Sequence, residues 1–250
     1  MKFIDVHSHL DICKNIPQIV KECSEENILI VTCGIDSKSN RKSIELRKKF
    51  PEIKICLGIY PLDGLKMSDK EIDEEIIFIR KNSEKIIGIG EVGLDLHTTK
   101  DAKSLGRQKE ILGKLAELAE EIGKPVVVHS RDAEKETVEF LENSGCRKVV
   151  MHCFSGNMKL ARRICENGWM LSIPASVKYN GHFQKLIETT PVESLLCETD
   201  SPFLHPDRGK WNNSANVIES YKRISEIKGI SLEETEKMIF NNYQRVFGKV

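Results

Sequence analysis

No stretch of this 250-residue chain approaches the roughly 20 consecutive apolar residues that a membrane-spanning helix requires, so no such helix is expected. Strand-like sequence begins at Phe3, which leaves no room for a signal peptide, and a cytoplasmic protein is expected. An excess of charge of one sign is also missing: Lys plus Arg is 38 and Asp plus Glu is 38. With no global positive field, a long nucleic acid cannot be held by backbone electrostatics alone, and any such contact must be local. The eight cysteines include no Cys-x-x-Cys pair and fall mostly within apolar segments, so they read as reduced core residues. Low-complexity segments, linkers and long repeats are absent too.

What the chain does contain is a regular alternation of short β-rich runs with amphipathic helical stretches, the signature of βαβ units and a parallel sheet. Eight strands are expected: Phe3 to His7, Ile28 to Cys33, Ile53 to Ile59, Ile86 to Gly90, Val126 to His129, Lys148 to His152, Trp169 to Ile173 and Ser194 to Glu198. Helices are expected from about Pro17, over Ser39 to Phe50, Asp69 to Lys81, Leu105 to Ile122, Ser214 to Lys228 and Leu232 to Val246. At 28.4 kDa this matches one (β/α)8 TIM barrel spanning residues 1–250 as a single domain.

The strand ends carry the chemistry. Residues two apart in a strand share a face, so His7 and His9 point the same way at the end of the first strand. The fourth strand ends at Glu91, the fifth at His129 and the sixth at His152, while the eighth runs into Asp200. A parallel barrel gathers all these ends at one rim, where its active site lies. Individually each residue has an ordinary structural reading, such as a capped strand end or a helix N-cap at Asp200. Together, four histidines and two carboxylates at one rim form a metal site. Six ligands exceed what a mononuclear catalytic zinc takes, and two divalent ions are the natural solution. In that arrangement Glu91 bridges, His7, His9 and Asp200 complete one ion, and His129 and His152 hold the other. Two ions about 3.5–4 Å apart activate a water and stabilise a leaving oxygen, which makes this a hydrolase site with Asp200 and Glu91 as catalytic residues. Zinc, manganese, magnesium, iron and nickel are not distinguished by this ligand set, although magnesium prefers more oxygen.

Five motifs give the chain a resemblance that runs from end to end. They are Phe3-Ile4-Asp5-Val6-His7-Ser8-His9-Leu10-Asp11, Gly90-Glu91-Val92-Gly93-Leu94-Asp95, Pro125-Val126-Val127-Val128-His129-Ser130-Arg131-Asp132-Ala133, Met151-His152-Cys153-Phe154-Ser155-Gly156 and Glu198-Thr199-Asp200-Ser201-Pro202. In these the chain resembles the TatD family of metal-dependent nucleases, a branch of the amidohydrolase-like barrels. The resemblance implies a (β/α)8 barrel, divalent metals on the residues already named, and hydrolysis of DNA phosphodiesters, commonly from the 3′ end. The implied substrate is DNA, with single-stranded ends favoured by the neutral charge and RNA left open, and a monomer is expected. Asp200 would orient the attacking water and accept its proton.

Around that centre, Arg131 and Arg208 are candidates for gripping phosphate, or else pin their loops through salt bridges. Ser155 either offers a hydroxyl to substrate or caps the following helix. Trp211 either stacks on a base or clamps its own loop, and Glu198 either orients a metal ligand or pairs with an arginine. His97, His182 and His205 fall outside the constellation. Two positions depart from the family pattern: Tyr60-Pro61 stands where His-Pro is common, and Asn212-Asn213-Ser214 lacks a nearby proline, which would leave that loop less fixed. The rival reading is an amide, ester or lactone hydrolase on the same binuclear site, since metals polarise a carbonyl equally well. Against it stand Glu91 in the bridging position, where many carbon–nitrogen hydrolases use a modified lysine, and the rim arginines. A non-catalytic binding scaffold is disfavoured by the complete ligand set.

Overall fold

The computed structural model describes residues 3–249. Eight parallel strands follow one another around the sheet in chain order: β1 (Phe3–Ser8), β2 (Ile28–Cys33), β3 (Lys54–Leu57), β4 (Gly88–Asp95), β5 (Val126–Arg131), β6 (Val149–Met151), β7 (Met170–Pro174) and β8 (Leu195–Glu198). They are wrapped by α1 (Ile16–Glu25), α2 (Ser37–Lys49), α3 (Pro61–Gly64), α4 (Asp69–Lys81), α5 (Ala102–Glu121), α6 (Glu134–Ser144), α7 (Met158–Glu166), α8 (Gly181–Thr189), α9 (Ile218–Lys228) and α10 (Leu232–Phe247). This is the (β/α)8 barrel that the alternating pattern implies.

The strands are near-continuous runs of Ile, Val and Leu because a parallel sheet covered by helices is buried on both faces. Every residue of β1, β2, β4, β7 and β8 is buried. The helices bury one stripe each. On α5 that stripe includes Ile111, Leu112, Leu115, Leu118 and Ala119. A fully buried leucine or isoleucine contributes about 1.5–3 kcal/mol, so this one helix anchors a large part of the outer layer. Capping boxes at Asp36/Ser39, Ser68/Glu71 and Ser231/Glu234 satisfy the free amides that open α2, α4 and α10.

The differences from the sequence reading are local. Helices α3, α6, α7 and α8 stand where the sequence pattern predicts none; all are short, with few buried residues each, and α7 and α8 open on the side-chain caps Asn157 and Asn180. β4 runs past Gly90 to Asp95, and β5 past His129 to Arg131. The first turn after Asn213 is a 3₁₀ segment, Ser214–Val217, rather than the start of the α-helix. All eight cysteines are free thiols.

The barrel closes where β8 meets β1, and the closure is made largely by specific polar contacts. The Asp200 amide donates to His7 O (2.9 Å) and the His9 amide to Ser201 O (2.7 Å). Just below, the Asp5 carboxylate accepts both the Thr199 amide (2.8 Å) and the Thr199 hydroxyl (2.6 Å). Burial pushes the Asp5 carboxyl up to about 7. From α9, the Tyr221 hydroxyl accepts the Ile4 amide at 2.9 Å in a fully buried setting. The proline-free loop before α9 is pinned as well: the Asn212 side chain donates to Thr199 O and its amide to Pro202 O, both at 2.9 Å.

Replacing Tyr221 with phenylalanine leaves the Ile4 amide buried without a partner. Tyr221→Phe is therefore expected to lower unfolding free energy by about 1–3 kcal/mol in urea titration, with the denaturant slope unchanged.

Candidate metal centre at the C-terminal rim

His7 is the penultimate residue of β1 and His9 follows that strand, so both imidazoles reach the same point above the barrel axis. Their Nε2 atoms lie 3.3 Å apart. Glu91 enters from the middle of β4, His129 from β5, His152 from just beyond β6 and Asp200 from just beyond β8. Close packing sets these positions. A Cβ on Gly93 would lie 2.0 Å from His129 O, across the register pair Gly93–His129, so only glycine lets β4 and β5 meet there. Asp200 itself takes a left-handed backbone (φ 53°), which aims its carboxylate back into the rim.

The arrangement centres on Glu91. One oxygen, Oε2, lies 3.4 Å from His7 Nε2 and 3.3 Å from His9 Nε2; the other, Oε1, lies 3.0 Å from His129 Nδ1 and 3.4 Å from His152 Nε2. Asp200 Oδ1 faces the first pair, 3.4 Å from His9 and 3.7 Å from His7. All six residues read from the strand ends thus converge. About Glu91 they divide into His7 and His9, with Asp200 facing them, on Oε2 and His129 and His152 on Oε1; the triads whose ligand atoms all lie within 4.8 Å of one another are His7, His9, Asp200 and His7, Glu91, His152. His7 belongs to both because its ring stacks on that of His152, with centroids 3.9 Å apart, while His129 approaches through Glu91.

Three of the four histidines have the far ring nitrogen tied down. His9 Nδ1 is 3.2 Å from Cys33 O, and a carbonyl only accepts, so that nitrogen carries a hydrogen and Nε2 is the nitrogen turned inward, where a cation would take the place of its proton. His152 Nδ1 faces Glu198 Oε2 at 3.4 Å, and Glu198 is held in turn by the Ser172 hydroxyl at 2.6 Å. His129 Nε2 faces Asp95 Oδ2 at 3.0 Å, and the Tyr60 hydroxyl donates to the same oxygen at 2.8 Å. Glu198 therefore orients a histidine rather than pairing with an arginine. Asp95 and Tyr60 are the partners that the sequence reading did not assign. Asp95 was detectable, since it shares the strand parity of Glu91.

The electrostatics are those of a site that demands positive charge. Burial opposes ionisation of Glu91, yet the neighbouring His152, His129 and His7 hold its carboxyl well below the usual range. Asp200 is likewise kept low against burial, by His9 and then His152. Burial also disfavours the charged form of His9, but Asp200 and Glu91 outweigh it and lift the ring to about 10. Burial and the charge of His152 lower His7. Asp95, against a burial penalty, is lowered to about 2 by His129 and Tyr60. Ionised carboxylates facing inward-pointing imidazole nitrogens at 3–4 Å fit a divalent cation of the nitrogen- and oxygen-binding kind.

The remaining candidates surround the pocket above this cluster. Arg131 and Ser155 line it; Arg131 is the exposed last residue of β5 rather than a loop residue. Ser155 does not cap α7, a role taken by Asn157; its hydroxyl donates to Glu134 at 2.6 Å. The Arg208 guanidinium lies over the Tyr179 ring, 4.6 Å from its centroid. Trp211 is 65% exposed, which rules out the loop-clamp reading. His97 pairs with Asp132 at 2.8 Å, His182 bonds the Phe154 carbonyl at 3.1 Å, and His205 Nδ1 accepts the Asp207 amide at 2.8 Å.

Comparison with known proteins agrees with this geometry. Residues 4–248 match the family described as TatD related DNase. An uncharacterized metal-dependent hydrolase of Methanocaldococcus jannaschii is 34% identical, over 99% of this chain and 97% of its own. The human deoxyribonuclease TATDN3 is 30% identical, over 99% of this chain and 95% of its own. Among solved structures, a TatD homolog from Escherichia coli, YJJV, superposes with a TM-score of 0.90 at 23% identity, over 100% of this chain and 99% of that one, and so shares the fold. The convergent rim, the barrel and the end-to-end match lead to one conclusion: this chain is a hydrolase and belongs to the TatD-related DNase family.

Proposed function

We propose that the protein is a metal-dependent deoxyribonuclease that removes nucleotides from the 3′ end of single-stranded DNA. The observation that carries this reading is Glu91, whose two oxygens face two separate histidine groups and so suit a pair of divalent ions. Such a pair supplies Lewis acidity toward a phosphoryl oxygen and acidifies a water toward neutrality. The relatives support the substrate class: human TATDN3 is named a deoxyribonuclease.

The protein's own groups have distinct tasks. His7, His9, Glu91, His129, His152 and Asp200 would hold the ions. Asp200 is the base: its Oδ1 faces His9 and His7, its side chain keeps 16% exposure toward the pocket, and it is held ionised. It orients the water in line with phosphorus and takes its proton. Asp95 fixes the ring of His129, with Tyr60 holding the carboxylate in place. Arg131, at the pocket wall, is placed to meet a substrate phosphate with planar donors, while Ser155 offers a hydroxyl nearby. Arg208 stands further out, on Tyr179. Glu91 at the bridging position and the exposed Arg131 favour an anionic phosphodiester over a neutral amide or ester.

The deciding assay uses 3′- and 5′-labelled single-stranded DNA with protein stripped of metal and resupplied with Mg2+, Mn2+ or Zn2+. Metal-dependent shortening from the 3′ end is expected, with RNA of the same sequence as the comparison. No shortening in any metal, together with turnover of a carboxyl ester or dihydropyrimidine, would overturn the reading in favour of a carbonyl hydrolase. Asp95→Asn is expected to cost about 10–100-fold in metal affinity or rate, because it loosens a ligand rather than removing one. Adding Mn2+ or Zn2+ at about 100 times its dissociation constant should raise stability by about 2.7 kcal/mol, read as a higher melting temperature. Glu91→Gln should abolish that gain.

A further inference from the structure

Five large apolar side chains are exposed among the described residues, and four of them, Ile12, Tyr179, Phe203 and Trp211, lie on the loops that follow β1, β7 and β8. An apolar surface gathered at the mouth of a site, rather than scattered, marks a place where something docks. Phe203 is 51% exposed and lines the metal pocket, with its ring centroid 6.3 Å from that of His9. The backbone of Trp211 is brought close to that of Phe203, because the amide of the next residue, Asn212, donates to the carbonyl of Pro202, the residue before Phe203. The loop is held rigidly: Asn212 is buried and also bonds Thr199 O and the Asn216 side chain. A fixed loop that leaves its tryptophan 65% in water gains nothing in stability from that side chain.

Cations accompany both outer rings. Lys14 Nζ lies 5.4 Å from the Trp211 centroid, which joins the loop after β1 to the loop after β8. The Arg208 guanidinium lies over Tyr179 on the other flank. Alternation of exposed aromatic faces with positive groups is what an unpaired nucleic-acid strand requires, since every base offers a π-face and every linkage a negative charge.

Resting on the nuclease reading above, we infer that Phe203 and Trp211 form a stacking platform for successive bases of the single strand whose terminal phosphodiester sits at the metal centre. Lys14 occupies one face of the Trp211 ring and meets a phosphate, and the other face takes a base. The platform selects unpaired strands, because bases in a duplex already stack on their neighbours and cannot turn out onto a ring. It is indifferent to sequence, since stacking does not read base edges.

The chain holds two tryptophans, and the other, Trp169, is buried just before β7 at the opposite end of the barrel. A change in intrinsic fluorescence on binding at the rim therefore reports Trp211, with Trp169 as a constant background. Metal-loaded protein would be titrated with phosphorothioate-linked oligothymidylate and with an abasic strand of equal length and charge. Saturable quenching by oligothymidylate is expected, with the abasic strand binding at least about 10-fold more weakly. With binding to the variants read instead by anisotropy of fluorescein-labelled strands, Trp211→Ala should shrink that preference toward one, and Trp211→Phe should restore most of it. Equal binding of the two strands, or a preference untouched in Trp211→Ala, would overturn the platform even if DNA is cleaved. Burial of Trp211 in a self-associated species, seen as concentration-dependent emission without DNA and a dimer in sedimentation, would overturn it too. Quenching without cleavage in any metal would leave the platform standing and sink the nuclease reading, so the two fail separately.

Discussion

Everything at the rim depends on the closure of the barrel between its first and last strands. Two backbone hydrogen bonds, from Asp200 to His7 and from His9 to Ser201, make that closure, and the residues that form them also carry candidate ligands. The backbone contact that shuts the sheet thus sets the distance between the two histidines of β1 and the carboxylate beyond β8. Asp5, Thr199 and Tyr221 reinforce the joint from below through buried hydrogen bonds. A shift of this seam would move the base relative to the histidines it faces, so fold stability and site geometry are here one property.

A second layer of the design lies behind the ligands. His9, His129 and His152 each turn the outer nitrogen to a fixed acceptor, a carbonyl in one case and a buried carboxylate in the others. These acceptors set which nitrogen faces inward and raise its basicity. His7 has no such partner on Nδ1 and is held instead by stacking against His152. The cluster is therefore stiffened by hydrogen bonds at His9, His129 and His152 and by packing at His7.

Much of this was legible in the sequence, for physical reasons that differ by residue. Strand parity gave His7 and His9 one face, and the rule that parallel strands end at one rim collected Glu91, His129, His152 and Asp200 from across the chain. Asp95 was within reach of the same parity argument, but ending β4 at Gly90 hid it. Tyr60 was visible only as a departure from a pattern, because its partner is 35 positions away and nothing local requires the contact. The stacking of His7 on His152 could not be read, since the two residues are far apart in the chain and nothing local requires the contact. Helices α6 to α8 escaped notice because their buried stripes are short, so caps such as Asn157 and Asn180 were the better signals. Trp211 shows the limit of local reading most clearly: a clamp and an exposed platform have the same sequence, and only the burial of Asn212 beside it decides.

The seam also has a history during synthesis. Asp5 waits for Thr199, 194 positions later, before its carboxylate has its partner across the seam. At roughly 5–20 residues per second a ribosome takes about 10–40 s to deliver that partner. Throughout this interval β1 can pair with β2 along one edge while its other edge stays open, with a buried-type carboxylate and two histidines unpaired along it. The nascent barrel is thus a curved open sheet whose most polar edge is also its first-made, and the acidic residue on that edge discourages a stray strand from taking the place reserved for β8.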